Sequence, residues 1–336
     1  MSAQTDNETD PRPDEVEPGD EASEIRGVAV GLKQHGERLD KLLTVIAPEF
    51  SRAHLQSLIA DGRVQLEGRV ATSASARVKA GQRIQVELVR PLQDQAFKPE
   101  DIALDIVYED EHLLVVNKPA GLVVHPAAGN WSGTLLNGLL WRDPNAATLP
   151  RAGIVHRLDK DTSGLMVVGR TLEGVTGLMR DIASRVVSRK YMALAHGRLK
   201  NEQESIEAPI GRDPKVRVRM AVISSGRPAK TDVHLVGYAQ GIGAVRCTLH
   251  TGRTHQIRVH LAFRGHPLVS DEVYGGRPAL GMTRQALHAA HLAFKHPVTG
   301  EQLSFDQAPP ADFAQAWAQI ATDEDEFGRP DEDDDY

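Results

Sequence analysis

Apolar side chains recur along this chain in two rhythms, and each rhythm predicts a different element. Leu39, Leu42, Leu43 and Ile46 fall at i, i+3, i+4 and i+7, which is one face of a helix over 38–47. Pro48 ends it, because proline lacks the N–H that the next helical turn needs. Ser51 can cap a second helix carrying Leu55, Leu58 and Ile59, with Gly62 placed to close it. Val64, Leu66 and Val70 follow around a Glu67-Gly68 turn, and Ile84, Val86 and Leu88 alternate with polar residues as a strand. This first segment predicts two helices and a small sheet.

Residues 91–97, with Pro91, Gln93 and Gln95, read as a linker. Beyond it the period-two pattern predicts strands at 102–107, 113–116, 191–196, 231–238 and 244–250. Helical spacing predicts helices over 134–141 and 172–183, and a third starting at Thr254 and ending near Gly265. On that third helix Ile257 and Leu261 pack inward while His255 and Arg258 share another face. Strands and helices are interleaved irregularly with hairpin-like connections, so the fold class is α+β and not a doubly wound parallel sheet.

One stretch breaks both rhythms. Gly153 to Arg170 sets Asp159 and Asp161 in a polar turn that runs straight into Leu165, Met166, Val167 and Val168, a continuous apolar run of the kind that makes a buried strand. Asp161, Ser163 and Gly164 are explained by turn formation alone, but the adjoining His156-Arg157 is not. A carboxylate fixed at the mouth of a core strand is a candidate catalyst.

Charge changes the picture of the partner. The net charge is −7, yet residues 1–25 and residues 321–336 each hold nine Asp or Glu and one Arg. Between them, 37 basic side chains face 28 acidic ones. A basic body with acidic, disordered tails points to a polyanionic partner bound through phosphate neutralisation. No segment approaches the roughly 20 apolar residues of a membrane span, and the acidic N-terminus lacks a signal-peptide pattern, so the expected location is the cytoplasm. The single cysteine, Cys247, rules out an intramolecular disulfide and reads as core filler.

The candidate chemistry narrows by exclusion. His255 and His260 are five apart and do not align on a helix, and His288 with His291 lacks a helical His-Glu-x-x-His setting, so no metal is expected. Ser163 lacks a nucleophile elbow, and phosphate-loop signatures are absent. A glycoside hydrolase would need a second carboxylate as general acid, a role that Asp161 fills poorly. What remains is a carboxylate, a phenol and a guanidinium.

Two resemblances then organise these residues. Ser51-Arg-Ala opening the second helix and the later Gly-Arg-Val resemble the alpha-L RNA-binding module first recognised in a small-subunit ribosomal protein, over residues 36–90. His156-Arg-Leu-Asp-Lys-Asp-Thr-Ser-Gly164 resembles the signature of the RluA/RluD-type pseudouridine synthases. The likeness continues through Asn117-Lys-Pro-Ala-Gly-Leu, Tyr191, Ala208-Pro-Ile-Gly-Arg-Asp-Pro214, Gly252-Arg-Thr-His-Gln-Ile-Arg258 and Gly265-His-Pro-Leu. Arg189 stands where this family more often has Lys, and Ser270 precedes Asp271 where Gly is usual.

The second resemblance implies a catalytic domain over residues 98–318 with a largely antiparallel mixed central sheet and flanking helices, preceded by the small α/β RNA-binding domain. It implies Asp159 as the essential aspartate, Tyr191 as the active-site tyrosine and Arg258 as the arginine paired with the aspartate. Arg157 would enter the RNA helix to help displace the target nucleotide. Arg38, Arg52 and Arg63 would contact RNA from the N-terminal domain, and Arg212, Lys215 and Arg217 from a basic loop. The implied activity is isomerisation of uridine to pseudouridine without a cofactor, on large-subunit ribosomal RNA or a pre-ribosomal particle, by a monomer. The same chemistry on another RNA such as tRNA, or a non-catalytic ribosome-assembly factor, are the alternatives.

Overall fold

A computed structural model describes residues 24–89, 96–127, 129–216 and 219–321. The chain divides into two compact units, Met1–Asp94 and Gln95–Tyr336.

In the first unit the predicted helices form as α1 (Leu39–Ile46) and α2 (Arg52–Ala60), with the Ser51 hydroxyl accepting from the His54 N–H at 3.2 Å. Their apolar faces bury Leu39, Leu42, Leu43, Leu55, Leu58 and Ile59 against a four-stranded antiparallel sheet. That sheet consists of β1 (Glu24–Ala29), β2 (Val64–Leu66), β3 (Arg69–Val70) and β4 (Arg83–Leu88), in the order β1-β4-β2-β3.

Strand β1 corrects one expectation. Glu24 and Ile25, read as the end of an acidic tail, are rungs of a ladder that pairs them with Leu88 and Glu87 of β4. An open sheet edge supplies backbone partners whatever the local composition. The rest of the two predicted tails, residues 1–23 and 322–336, lies outside the described residues, as does most of the 91–97 linker. At its far end Ala96 is buried, and Asn137 Nδ2 donates to the carbonyl of Lys98 at 2.8 Å, so this end is fastened within the second unit.

The second unit is built on one mixed sheet. Its strands are β5 (Asp105–Glu109), β6 (Leu113–Lys118), β7 (Ser163–Gly169), β8 (Ser188–His196), β9 (Gln203–Glu207), β12 (Lys230–Ala239), β13 (Ile242–Leu249), β14 (Leu287–Lys295) and β15 (Gln302–Asp306). A separate hairpin, β10 (Ile210–Arg212) and β11 (Met220–Val222), stands apart from it. The sheet order is β5-β6-β7-β14-β8-β13-β12-β9, with β15 on β14, and only the β7–β14 pair is parallel. The helices are α3 (Leu135–Arg142), α4 (Leu172–Ser184), α5 (Gln256–Phe263) and α6 (Ala311–Trp317).

Strand β7 is buried along its whole length. Met166 and Val168 enter one core cluster, which also holds Tyr191 and Ile257, while Leu165 and Val167 enter another with Leu178 and Phe294. Burial on both faces is why this strand reads as a continuous apolar run without alternation.

Candidate active site

Asp159 sits in the turn that feeds β7, and that turn is fixed from several directions. Gly164 begins the constraint: its φ is +112°, and a Cβ there would lie 2.1 Å from the Ala289 carbonyl oxygen of β14. Only glycine lets the two strands approach so closely. Next, Lys118 at the end of β6 is wholly buried, and its Nζ donates to the carbonyls of Pro119 (2.7 Å), Leu122 (3.0 Å) and Lys160 (2.9 Å). It thereby ties the Asn117–Leu122 turn to the aspartate turn. Its complete burial commits it to this structural task. Burial pulls its pKa down to about 7, against the opposing pull of Asp161 and Asp159.

Arg284 and Gln285 close the turn from the other side. Arg284 Nη1 donates to the Asp161 carbonyl at 2.9 Å, and Gln285 Nε2 donates to Thr162 Oγ1 at 3.0 Å. Asp161 thus serves the turn through its backbone.

Helix α5 brings the guanidinium. The helix starts at Gln256 and not at Thr254 as expected, with His255 as its N-cap in a left-handed conformation of φ +57°. Arg258 Nη1 donates to Asp159 Oδ2 at 3.0 Å. Its other edge is bound to Asp271, from Nε at 2.7 Å and from Nη2 at 2.8 Å. Burial opposes the Arg258 charge, but the Asp271 bonds and the charge of Asp159 outweigh it and hold its pKa above the usual arginine range. His255 Nε2 lies 3.8 Å from Asp159 Oδ1, while its Nδ1 meets the Tyr274 hydroxyl at 2.8 Å.

Tyr191, on β8, is 5% exposed and lines the same cleft as Asp159 and Arg258. Burial, reinforced by Asp159, pushes its phenol up to about 12, with Arg189 opposing. The hydroxyl therefore stays protonated at neutral pH. The cleft measures about 630 Å³, and Arg157, exposed at its rim, stands beside Asp159.

The structure brings Asp159, Tyr191, Arg258 and Arg157 together and spreads the other predicted RNA contacts elsewhere. Arg38 and Arg52 both bind the wholly buried Asp40 at 2.9 Å. The Arg38 bonds first, then those of Gln56 and Arg52, hold that carboxyl well below the usual range against burial. Arg63 pairs with Glu87 at 3.0 Å. Arg212 and Lys215 are exposed on the β10–β11 hairpin, and Arg217 lies outside the described residues. The histidines weighed as metal ligands have other tasks: His260 bonds Thr231 Oγ1 and the Ala208 carbonyl, and His288 bonds Ser163 Oγ and the Gln307 carbonyl. Cys247 is wholly buried and its thiol is pushed up to about 12 by that burial, in keeping with core filling.

Sequence reasoning set His255 beside Arg258 without giving it a role, and missed Asp271 and Tyr274; nothing in the spacing shows that the 265–275 loop folds back onto α5.

Comparison with known proteins decides the lineage. Residues 112–263 match the RNA pseudouridylate synthase family model and residues 37–84 match the S4 domain. The chain is 42% identical over 313 residues to ribosomal large subunit pseudouridine synthase D of Vibrio parahaemolyticus, covering 89% of this chain and 95% of that one. It belongs to the RNA pseudouridylate synthase family. The protein of the same name from Neisseria meningitidis is 48% identical, covering 85% of this chain and 79% of the relative. Among solved structures, human RNA pseudouridylate synthase domain containing 1 aligns with a TM-score of 0.50 at 29% identity, over 63% of this chain and 85% of that one. The fold is therefore the α+β pseudouridine synthase fold behind an S4 domain, and members of this family isomerise uridine to pseudouridine.

Proposed function

We propose that this chain isomerises specific uridines of large-subunit ribosomal RNA, with residues 36–90 as an RNA-binding domain and residues 98–318 as the catalytic domain. The observation that carries the reading is the Arg258–Asp159 pair in a cleft also lined by Tyr191, with Asp271 bonded to Arg258 outside that lining. The target is the one named for its relatives.

The chemistry follows from the groups present. A uridine in folded RNA must leave its stack before a side chain can reach its glycosidic bond, at a cost of a few kcal/mol that phosphate contacts offset. Arg157 at the rim is placed to fill the gap left behind. Asp159, oriented by its hydrogen bond from Arg258, either attacks the ribose anomeric carbon or removes the neighbouring ribose proton. The freed uracil turns and bonds through carbon, which breaks the Asp159 ester on the first route and returns the ribose proton on the second, and the hydrogen on that carbon is then lost to water. Tyr191, kept protonated by burial, offers a face for stacking and a hydrogen-bond donor; its raised pKa makes it a poor base for the proton that must leave that carbon. No group is imported and nothing is oxidised, so the proposed reaction needs no cofactor.

We further assign the protein to the cytoplasm as a monomer; among the described residues no helix is long and apolar enough to cross a membrane. The test is to incubate the protein with large-subunit ribosomal RNA carrying tritium on the uracil carbon that becomes the glycosidic atom, then map pseudouridine. Tritium release with pseudouridine at discrete positions is expected. Absence of release from free RNA and from partly assembled subunits would refute the activity on this substrate.

A further inference from the structure

The cleft that holds Asp159 carries more positive charge than that carboxylate can balance. Six arginines line it, Arg151, Arg157, Arg185, Arg189, Arg253 and Arg258, against Asp159 as the only acidic side chain of the lining. Arg258 is matched by Asp159 and Asp271. Among the described residues, no carboxylate pairs with any of the other five.

Arg189 is the telling member. It is 5% exposed, and its Nε is buried with no hydrogen-bond partner. A buried donor on a charged group is rarely left unpaired, because its lost hydration is not repaid. Gly252 makes room for it: a Cβ at that position would sit 2.9 Å from Arg189 Nη1. The adjoining imidazole is no counter-ion. Burial, and then Arg189 itself, push His156 down to about 3, and its Nε2 already accepts from the Val167 N–H at 3.0 Å.

Arg253 follows directly on Gly252. Its Nε is engaged by the Pro228 carbonyl at 3.0 Å, so its terminal nitrogens are the groups left to meet a ligand. Burial first, then the like charges of Arg227 and Arg185, lower its pKa from the usual arginine value. Guanidiniums brought together without an acid favour an anion with several acceptor oxygens, and their planar forks match a phosphate.

We propose that Arg185, Arg189 and Arg253 form a binding site for a backbone phosphodiester of the RNA, next to the nucleotide whose ribose meets Asp159. The inference rests on the RNA-isomerase reading and adds a subsite to it. A ribose placed at Asp159 is joined through its own backbone to a phosphate on each side, so one charge must lie within a nucleotide's reach of the cleft. Gripping that phosphate fixes the anomeric carbon against the carboxylate, and binding energy from a non-reacting group is turned to orientation.

Phosphate-ethylation interference on a large-subunit ribosomal RNA transcript tests this with the full chain. Ethylation neutralises one phosphate at a time. For the wild type, ethylation of a phosphate flanking the modified uridine should weaken binding by more than about ten-fold. For Arg189→Gln and Arg253→Gln the same ethylation should weaken binding markedly less than it does in the wild type. Each variant should bind the transcript about ten-fold more weakly, with a salt slope reduced by about one, while Arg189→Lys, which keeps the charge, stays close to wild type. Arg253 is the less buried of the two, so its variant answers the question if Arg189→Gln melts early. An interference pattern identical in wild type and both Gln variants, with wild-type isomerisation intact, would overturn the phosphate site alone. A wild-type chain that forms no pseudouridine on the transcript would overturn the reading beneath it.

Discussion

Arg258 donates from Nε and Nη2 to Asp271 and from Nη1 to Asp159, so one planar group sets the direction of the carboxylate proposed as catalytic. Asp271 is a positioning residue on this account, since it touches Arg258 and not the cleft. Asp271→Asn keeps the shape but gives up the second acceptor oxygen and the charge. The expected result is a kcat about 100-fold lower with KM for RNA little changed; a rise in KM at constant kcat would assign Asp271 to substrate binding instead. The neighbouring Ser270, where the family usually has glycine, adopts a φ of +59° yet donates from Oγ to the Met282 carbonyl at 2.7 Å. A left-handed non-glycine residue costs about 1 kcal/mol and one hydrogen bond returns about as much, so Ser270→Gly should leave the melting temperature nearly unchanged. A loss of more than about 2 kcal/mol would mean the hydroxyl does more than offset its own backbone strain. Asp159, Tyr191 and Arg258 were legible in the sequence because each stands in a dense local motif. Asp271 was not, because its partner is on a separate helix and the closing contact is tertiary.

The aspartate turn is tied to the elements on both sides of it, by Lys118 from one and by Arg284 and Gln285 from the other. Lys118 closes β6 and holds that turn through the Lys160 carbonyl. Its folded pKa of about 7 lies below the roughly 10.4 of a free lysine. Between these values the unfolded chain holds more protons than the folded one, so stability rises with pH across that window and is level below it, where both states are protonated. Melting temperatures of the wild type and Lys118→Met, measured across that range, should show a gap that shifts in favour of the wild type as pH rises. A gap independent of pH would contradict the depressed pKa. Gly164→Ala should be more damaging, costing more than about 3 kcal/mol by thermal melting, because the added Cβ meets the Ala289 carbonyl. Helices α1 to α4 and strand β7 were readable from periodicity and caps. The edge strand β9, with the polar run Gln203-Glu-Ser-Ile-Glu207, and the exposed strand β1 were not. Such strands are held by backbone ladders, which leave little hydrophobic pattern to read.

For the whole molecule, the proposed function divides the labour between recognition in the first unit and chemistry in the second. The excess of basic side chains over residues 26–320 predicts RNA affinity that falls steeply with salt. A chain lacking residues 36–90 should lose site choice on ribosomal RNA but still isomerise uridine in short RNAs. If it lost activity equally on every substrate, that segment would be required for folding. The division into two units was visible in the sequence from the composition of residues 91–97, whereas their S4 and catalytic identities came from local motifs. The central claim is that the Asp159 carboxylate makes the isomerisation possible while the rest of the molecule binds and presents the uridine. Its most direct measurement compares Asp159→Asn with wild type on the same ribosomal RNA, reading RNA affinity and pseudouridine formation together. Affinity within about three-fold of wild type with no pseudouridine formed is the predicted result; pseudouridine formed at the wild-type rate would contradict it.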